Sequence, residues 1–115
     1  MSYVSNIIIS FSVSDEDHVL DIKKFFVETF KDVPPKDLDE STGLAHYGGS
    51  KALEKTVMVG AHNYLKIDTL VKFMESLGWF IPEDVQLLVC DENDEPSIFT
   101  ERLHRENMKP RFHLD

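Results

Sequence analysis

The run His46-Tyr47-Gly48-Gly49-Ser50-Lys51 holds the densest set of chemically capable residues in the chain: a base, a flexible backbone and a cation able to hold an anion. Gly48-Gly49-Ser50-Lys51 lacks the glycine spacing of a phosphate loop and follows no clear strand, so a turn is favoured over a nucleotide cradle. His62 and Tyr64 stand two residues apart and share one face of any strand that carries them. With His46 and Tyr47 they form the best set for a small enzyme or ligand site, with His46 and His62 as its proton-transfer residues. Against that reading, His62 is more readily a half-buried strand residue bonded to a neighbour.

Asp91, Glu92, Asp94 and Glu95 crowd one turn, and crowded carboxylates attract divalent cations. The calcium-loop pattern lacks its glycine and its distal glutamate here, so a solvated acidic turn is expected and no metal site is assigned. Cys90 opens that turn, a setting unsuited to a reactive thiolate. There is no G-x-S-x-G, H-E-x-x-H or C-x-x-C pattern, and no cofactor is expected.

The elements that must position these residues follow from hydrophobic periodicity. Ile7, Ile9, Phe11 and Val13 alternate with Ile8, Ser10 and Ser12, which predicts a strand with one buried face. Ser14 with Asp17 resembles a capping box and opens a helix that runs to about Lys31, with Val19, Ile22, Phe25, Phe26 and Phe30 as its apolar stripe. Pro34-Pro35 forbids helix, and the stretch from Asp32 to Lys55 reads as a long connection with a short strand over Gly43 to Tyr47.

Thr56 to Ile81 then reads as a strand feeding an amphipathic helix. Val57, Val59 and Ala61 are expected under the helices, while Met58, Gly60, His62 and Tyr64 take the other face. The helix stripe is Ile67, Leu70, Val71, Met74 and Leu77, with Asp68 in its first turn and Gly78 and Pro82 as its stop. A strand from Glu83 to Cys90 and a return strand from Ser97 to Thr100 complete the set.

The order β-α-(β)-β-α-β-β predicts a single α+β domain spanning 1–115. It has one sheet of four or five strands with two helices on one face, in a split β-α-β, ferredoxin-like arrangement. The sheet face left without helices is then a surface for a loop, a second copy in a homo-oligomer, or a ligand. Its expected members are Ser10, Ser12, Met58, Gly60, His62, Tyr64, Gln86, Leu88 and Cys90. Residues 102–115 form a basic tail that either folds back on the acidic body or frays.

Twenty-one acids against twelve Lys and Arg, a formal charge of −9, disfavour nucleic acid and anionic membranes. One cysteine excludes an internal disulfide, and no apolar run is long enough to span a bilayer. These features predict a cytoplasmic protein. The leading function is a non-catalytic module of immunity, antitoxin or inhibitor type that presents its acids, Asp91, Glu92, Asp94 and Glu95 included, to a basic protein partner.

Overall fold

A computed structural model of the chain describes residues 4–38, 55–91 and 98–111. In chain order its elements are β1 (Val4–Ser12), α1 (His18–Phe25), β2 (Lys36–Asp37), β3 (Lys55–Asn63) and α2 (Ile67–Ser76). They are followed by β4 (Gly78–Trp79), β5 (Gln86–Asp91), β6 (Thr100–Glu101) and β7 (Lys109–Pro110). Five strands form one sheet in the order β2-β3-β1-β5-β6, and every neighbouring pair is antiparallel. The edge strands are two residues long, which limits edge-to-edge pairing with other chains. β4 and β7 make a separate parallel pair. Among the described residues no helix is long and apolar enough to cross a membrane.

Both helices pack on the same face of the sheet. Val19, Ile22 and Phe26 from the first helical segment and Leu70, Val71 and Met74 from α2 share one core with Ile7, Ile9, Phe11, Leu87 and Val89. Phe25 stacks on Phe73 with centroids 3.9 Å apart, which joins the helices to each other. The entry to α1 differs from the expected capping box. Ser12 rather than Ser14 is the cap, its Oγ accepting the Ser14 amide at 3.2 Å ahead of a 3₁₀ turn over Val13–Asp15. Val13 is therefore turned outward, and Asp15 is fully buried instead of facing solvent in the first turn. α1 continues into a π-helical turn, Phe26–Phe30, and stops at Lys31 in the left-handed region with φ 54°.

The largest departure from expectation is the face of β3. Cross-strand partners in an antiparallel sheet share a face. Ile9, wholly buried, pairs with Met58 on one side and Leu87 on the other. Thr56, Met58, Gly60 and His62 therefore point to the helices, and Val57, Val59 and Ala61 point away. The expected assignment was the reverse. A one-residue difference in register moves every side chain of a strand to the opposite face, and both alternating sets of β3 are apolar enough to be buried. Met58 wins the interior because its long unbranched side chain reaches the space beneath the helices. The β-branched valines suit a half-exposed pleat.

The basic tail folds back over residues 102–111. Leu103 enters the core, the buried Glu75 accepts the His104 amide at 2.8 Å, and Arg105 donates to the carbonyls of Pro82 and Val85. Arg111 N–H donates to the Trp79 carbonyl at 2.7 Å. Gly78 permits this approach, since a Cβ there would sit 3.1 Å from the Arg111 Cα. Trp79 is completely buried, donates its indole N–H to the Met74 carbonyl and lies 5.1 Å from the Phe11 ring.

The inverted face of β3 has a direct test in denaturant unfolding. Met58→Ala is expected to lower stability by about 2–5 kcal/mol, the cost of a large core truncation. Val57→Thr, on the half-exposed side, should stay within about 1 kcal/mol of the parent.

Candidate functional site

His62 lies near the end of β3, 5% exposed, beneath the π-helical turn with its ring 4.9 Å from Phe26. Its Nδ1 is 3.3 Å from Asp32 Oδ2, so the ring donates there and the carboxylate accepts. Asp32 Oδ1 accepts the Val33 amide at 2.7 Å, which fixes the carboxylate from its other side. Nε2 is buried and has no hydrogen-bond partner among the described residues. A buried ring nitrogen left in this way costs about 1–3 kcal/mol. It is accommodated because residue 60 is glycine: a Cβ there would stand 2.7 Å from Nε2 and 3.4 Å from the Pro35 Cα.

Asp32 connects this buried histidine to a surface concavity of about 300 Å³, lined by Thr29, Phe30, Asp32, Asn63, Tyr64, Leu65, Lys66 and Thr69. Three segments meet there: the π-helical turn, the end of β3 and the start of α2. Two non-glycine residues in this region take left-handed backbone, Lys31 at φ 54° and Tyr64 at φ 55°. Each such conformation costs about 1–2 kcal/mol, and strained backbone of this kind concentrates at sites where geometry has been imposed. The cavity wall carries an acid, a base, an amide and hydroxyls within a partly apolar frame, a lining suited to a small polar molecule. His62 does not line it. Any influence of the imidazole on the cavity passes through the carboxylate of Asp32.

The sequence-derived site residues are dispersed by this geometry. His62 and Met58 point into the core and not onto the helix-free face, and Tyr64 stands at the cavity, 66% exposed. Ser12, also expected on that face, is buried at the start of the 3₁₀ turn. Asp91 ends β5, half-buried, and accepts the Ser5 hydroxyl at 2.6 Å. His46, Tyr47, Glu92, Asp94 and Glu95 fall outside the described residues, as does the expected strand over Gly43 to Tyr47. Cys90 is buried on β5. No group of three or more metal-ligating side chains occurs among the described residues. Sequence reasoning missed Asp32, Asn63 and Lys66. The one available signal was that Asp32 directly follows the expected helix end and precedes Val33-Pro34-Pro35, so its side chain is free to turn back toward β3.

With β3 inverted, the face opposite α1 and α2 carries Val57, Val59, Ala61, Asn6, Ile8, Ser10, Gln86, Leu88 and Cys90. Its central row is Val59-Ile8-Leu88, three half-buried apolar side chains in direct cross-strand register. Relative to the expected surface, Val57, Val59 and Ala61 stand in place of Met58, Gly60, His62 and Tyr64, and Ile8 and Asn6 join it from β1.

Relief of the strained backbone gives a measurable gain. Lys31→Gly is expected to raise stability by about 1 kcal/mol in urea unfolding, because glycine adopts φ 54° without steric cost. Gly60→Ala should lower it by about 1–3 kcal/mol by driving a methyl group into the His62 ring. No protein-family model, no curated protein and no solved structure matches the chain, so the chemistry of its own residues carries the functional reading.

Proposed function

We propose that the protein is a non-catalytic binding module of the cytoplasm, of immunity, antitoxin or inhibitor type, whose sheet face opposite α1 and α2 docks on a basic protein. The observation that carries this reading is the row Val59-Ile8-Leu88 at the centre of a face opposite both helices. Apolar surface of this kind contributes affinity, and acids around it contribute steering and orientation. Glu101 on β6 continues that row beyond Leu88 and Lys36 on β2 continues it beyond Val59, and the whole chain has nine more acids than Lys and Arg. Catalysis is disfavoured because His62, the one sequence-derived base among the described residues, is enclosed in the core.

The same reading assigns the sheet a ferredoxin-like order. In its support, β3 and β5 each lie antiparallel to β1, one on either side, and α2 joins them in sequence. A second reading, a small-ligand site, is favoured by a specific feature: the Asp32 carboxylate, backed by His62, at a cavity that Tyr64 and Lys66 also line.

Affinity capture with the wild-type chain and with Val59→Lys discriminates these readings. The docking reading expects a basic partner that is released as salt rises past about one Debye length of screening, near 0.1–0.2 M. Val59→Lys should lose that partner while its melting temperature stays close to wild type. Capture unaffected by both salt and the substitution would remove the reading. A dimer detected by light scattering and lost in Val59→Lys would give the face to a second copy instead.

A further inference from the structure

At the other end of the sheet, His18 occupies the first turn of α1, 7% exposed, with its ring edge-on to Trp79 at 4.7 Å. Nδ1 lies 2.7 Å from Asp21 Oδ2, and a carboxylate only accepts, so Nδ1 bears a proton whether the ring is neutral or charged. Nε2 lies 2.6 Å from the Gly78 carbonyl oxygen and 2.7 Å from the Arg111 Nη2. These neighbours make incompatible demands. A hydrogen bond from Nε2 to the carbonyl, which also accepts Arg111 Nε at 3.3 Å, needs a proton on Nε2, whereas the guanidinium, which only donates, needs a lone pair there.

We propose that this competition makes His18 a proton-operated latch on the C-terminal strap, residues 102–111. With a neutral ring, Nε2 accepts from Arg111 and the strap is closed. With a charged ring, Nε2 donates to the Gly78 carbonyl, and the guanidinium is displaced by both a donor–donor clash and like charge.

The surroundings set what moves. His18 is faced by Asp21 on its own helix and by Arg111 from the strap, with the charge of Asp17 within reach, and Arg111 in turn meets Asp15 and Asp17. From β4 it meets only the Gly78 carbonyl and the Trp79 ring, and Lys109 approaches through its backbone pairing with Gly78. Arg111 Nη2 reaches Asp15 Oδ1 and Asp17 Oδ1, both at 3.1 Å. Its two hydrogens are thus shared among three acceptors, of which Nε2 is the nearest. Protonation turns the shortest of those contacts from attraction to repulsion, while the Asp21 carboxylate, 2.7 Å from Nδ1, remains to hold the imidazolium. The turn keeps its charge balance and the strap yields.

A second titration is separated from the first by pH. Hydrogen bonding from Arg111, with its positive charge, holds the Asp17 carboxyl below its ordinary 3.8. A depressed carboxylate contributes stability that is present above its unfolded value and lost as pH falls through its folded one, so the Asp17 effect belongs below about pH 4. Imidazoles change charge between about pH 8 and 5.

Hydrogen exchange followed by NMR tests the latch on the intact chain. On passing from about pH 7.5 to 5.5, the Arg111 amide, bonded to the Trp79 carbonyl, should lose protection about fivefold after correction for intrinsic exchange, while β1 amides are unchanged. The midpoint of that loss should coincide with the titration of the His18 ring nitrogens. His18→Gln should abolish the pH response, and Arg111→Gln should lower protection at both pH values. A pH-independent Arg111 amide, a midpoint displaced from the His18 titration, or an unchanged response in His18→Gln would each overturn the latch. The coincidence of midpoints is read in the wild-type protein and needs no variant to fold.

Discussion

The pairing of Ile9 with Met58 on one side and Leu87 on the other decides most of this structure. With β1 central and both its neighbours antiparallel, the inward residue of one strand fixes the inward residues of the next two. The layer under α1 and α2 follows from that row: Phe11 beside Thr56, Ile7 between Gly60 and Val89, Ser5 between His62 and Asp91. The outward rows follow equally, including the apolar line through Ile8. The interior histidine and the exposed valines are therefore one fact seen from two sides of the same strand.

How far this was legible in sequence depended on contrast between alternating positions. In β1 and β5 the inward Ile7, Ile9, Phe11, Leu87 and Val89 were read correctly against a more polar alternating set, while Val13, expected inward with them, is turned out by the 3₁₀ turn. In β3 the competing sets are Val57, Val59, Ala61 and Thr56, Met58, Gly60, His62, and neither is polar enough to be excluded from a core. Local pattern gives no preference there. The choice is made by pairing with a strand some fifty residues earlier, such as Ile9 with Met58, and single-sequence periodicity has no access to it. The second helix was legible from its stripe and its stop at Gly78. The first was legible in extent, but not in its entry, because Asp15 takes its partners from residues 80, 81 and 111. The cavity was hidden for a similar reason: its acid, Asp32, and the histidine behind it are thirty residues apart.

The antiparallel register also separates two ends with different chemistry. At the Val4 end of β1 stand Asn63 and the start of α2, next to Lys31 and Tyr64 in left-handed backbone and the buried His62. At the Ser12 end stand the 3₁₀ turn, the close of α2 and the strap, where the buried Asp15 carboxylate accepts three donors. Irregular backbone and buried ionisable groups are thus gathered at the ends of a regular sheet. The middle is held by dispersion and apolar burial, which tolerate small displacements. The ends are held by directional hydrogen bonds, which tolerate them less.

Asp15 shows what such a polar knot does to a fold. A fully buried carboxylate is costly unless each oxygen is met. Here Oδ1 accepts the Phe80 amide at 2.8 Å and Arg111 at 3.1 Å, while Oδ2 accepts the Ile81 amide at 3.1 Å. The Arg111 guanidinium also lies 4.0 Å above the Phe80 ring, so backbone, cation and aromatic ring are positioned by one another. Apolar residues of similar volume would give the region comparable burial without that mutual dependence. With the carboxylate in place, a change at Arg111 reaches the start of α1 and the segment after α2 together. The strap and the helix entry consequently behave as one element, although their charges are ninety-six positions apart in the chain.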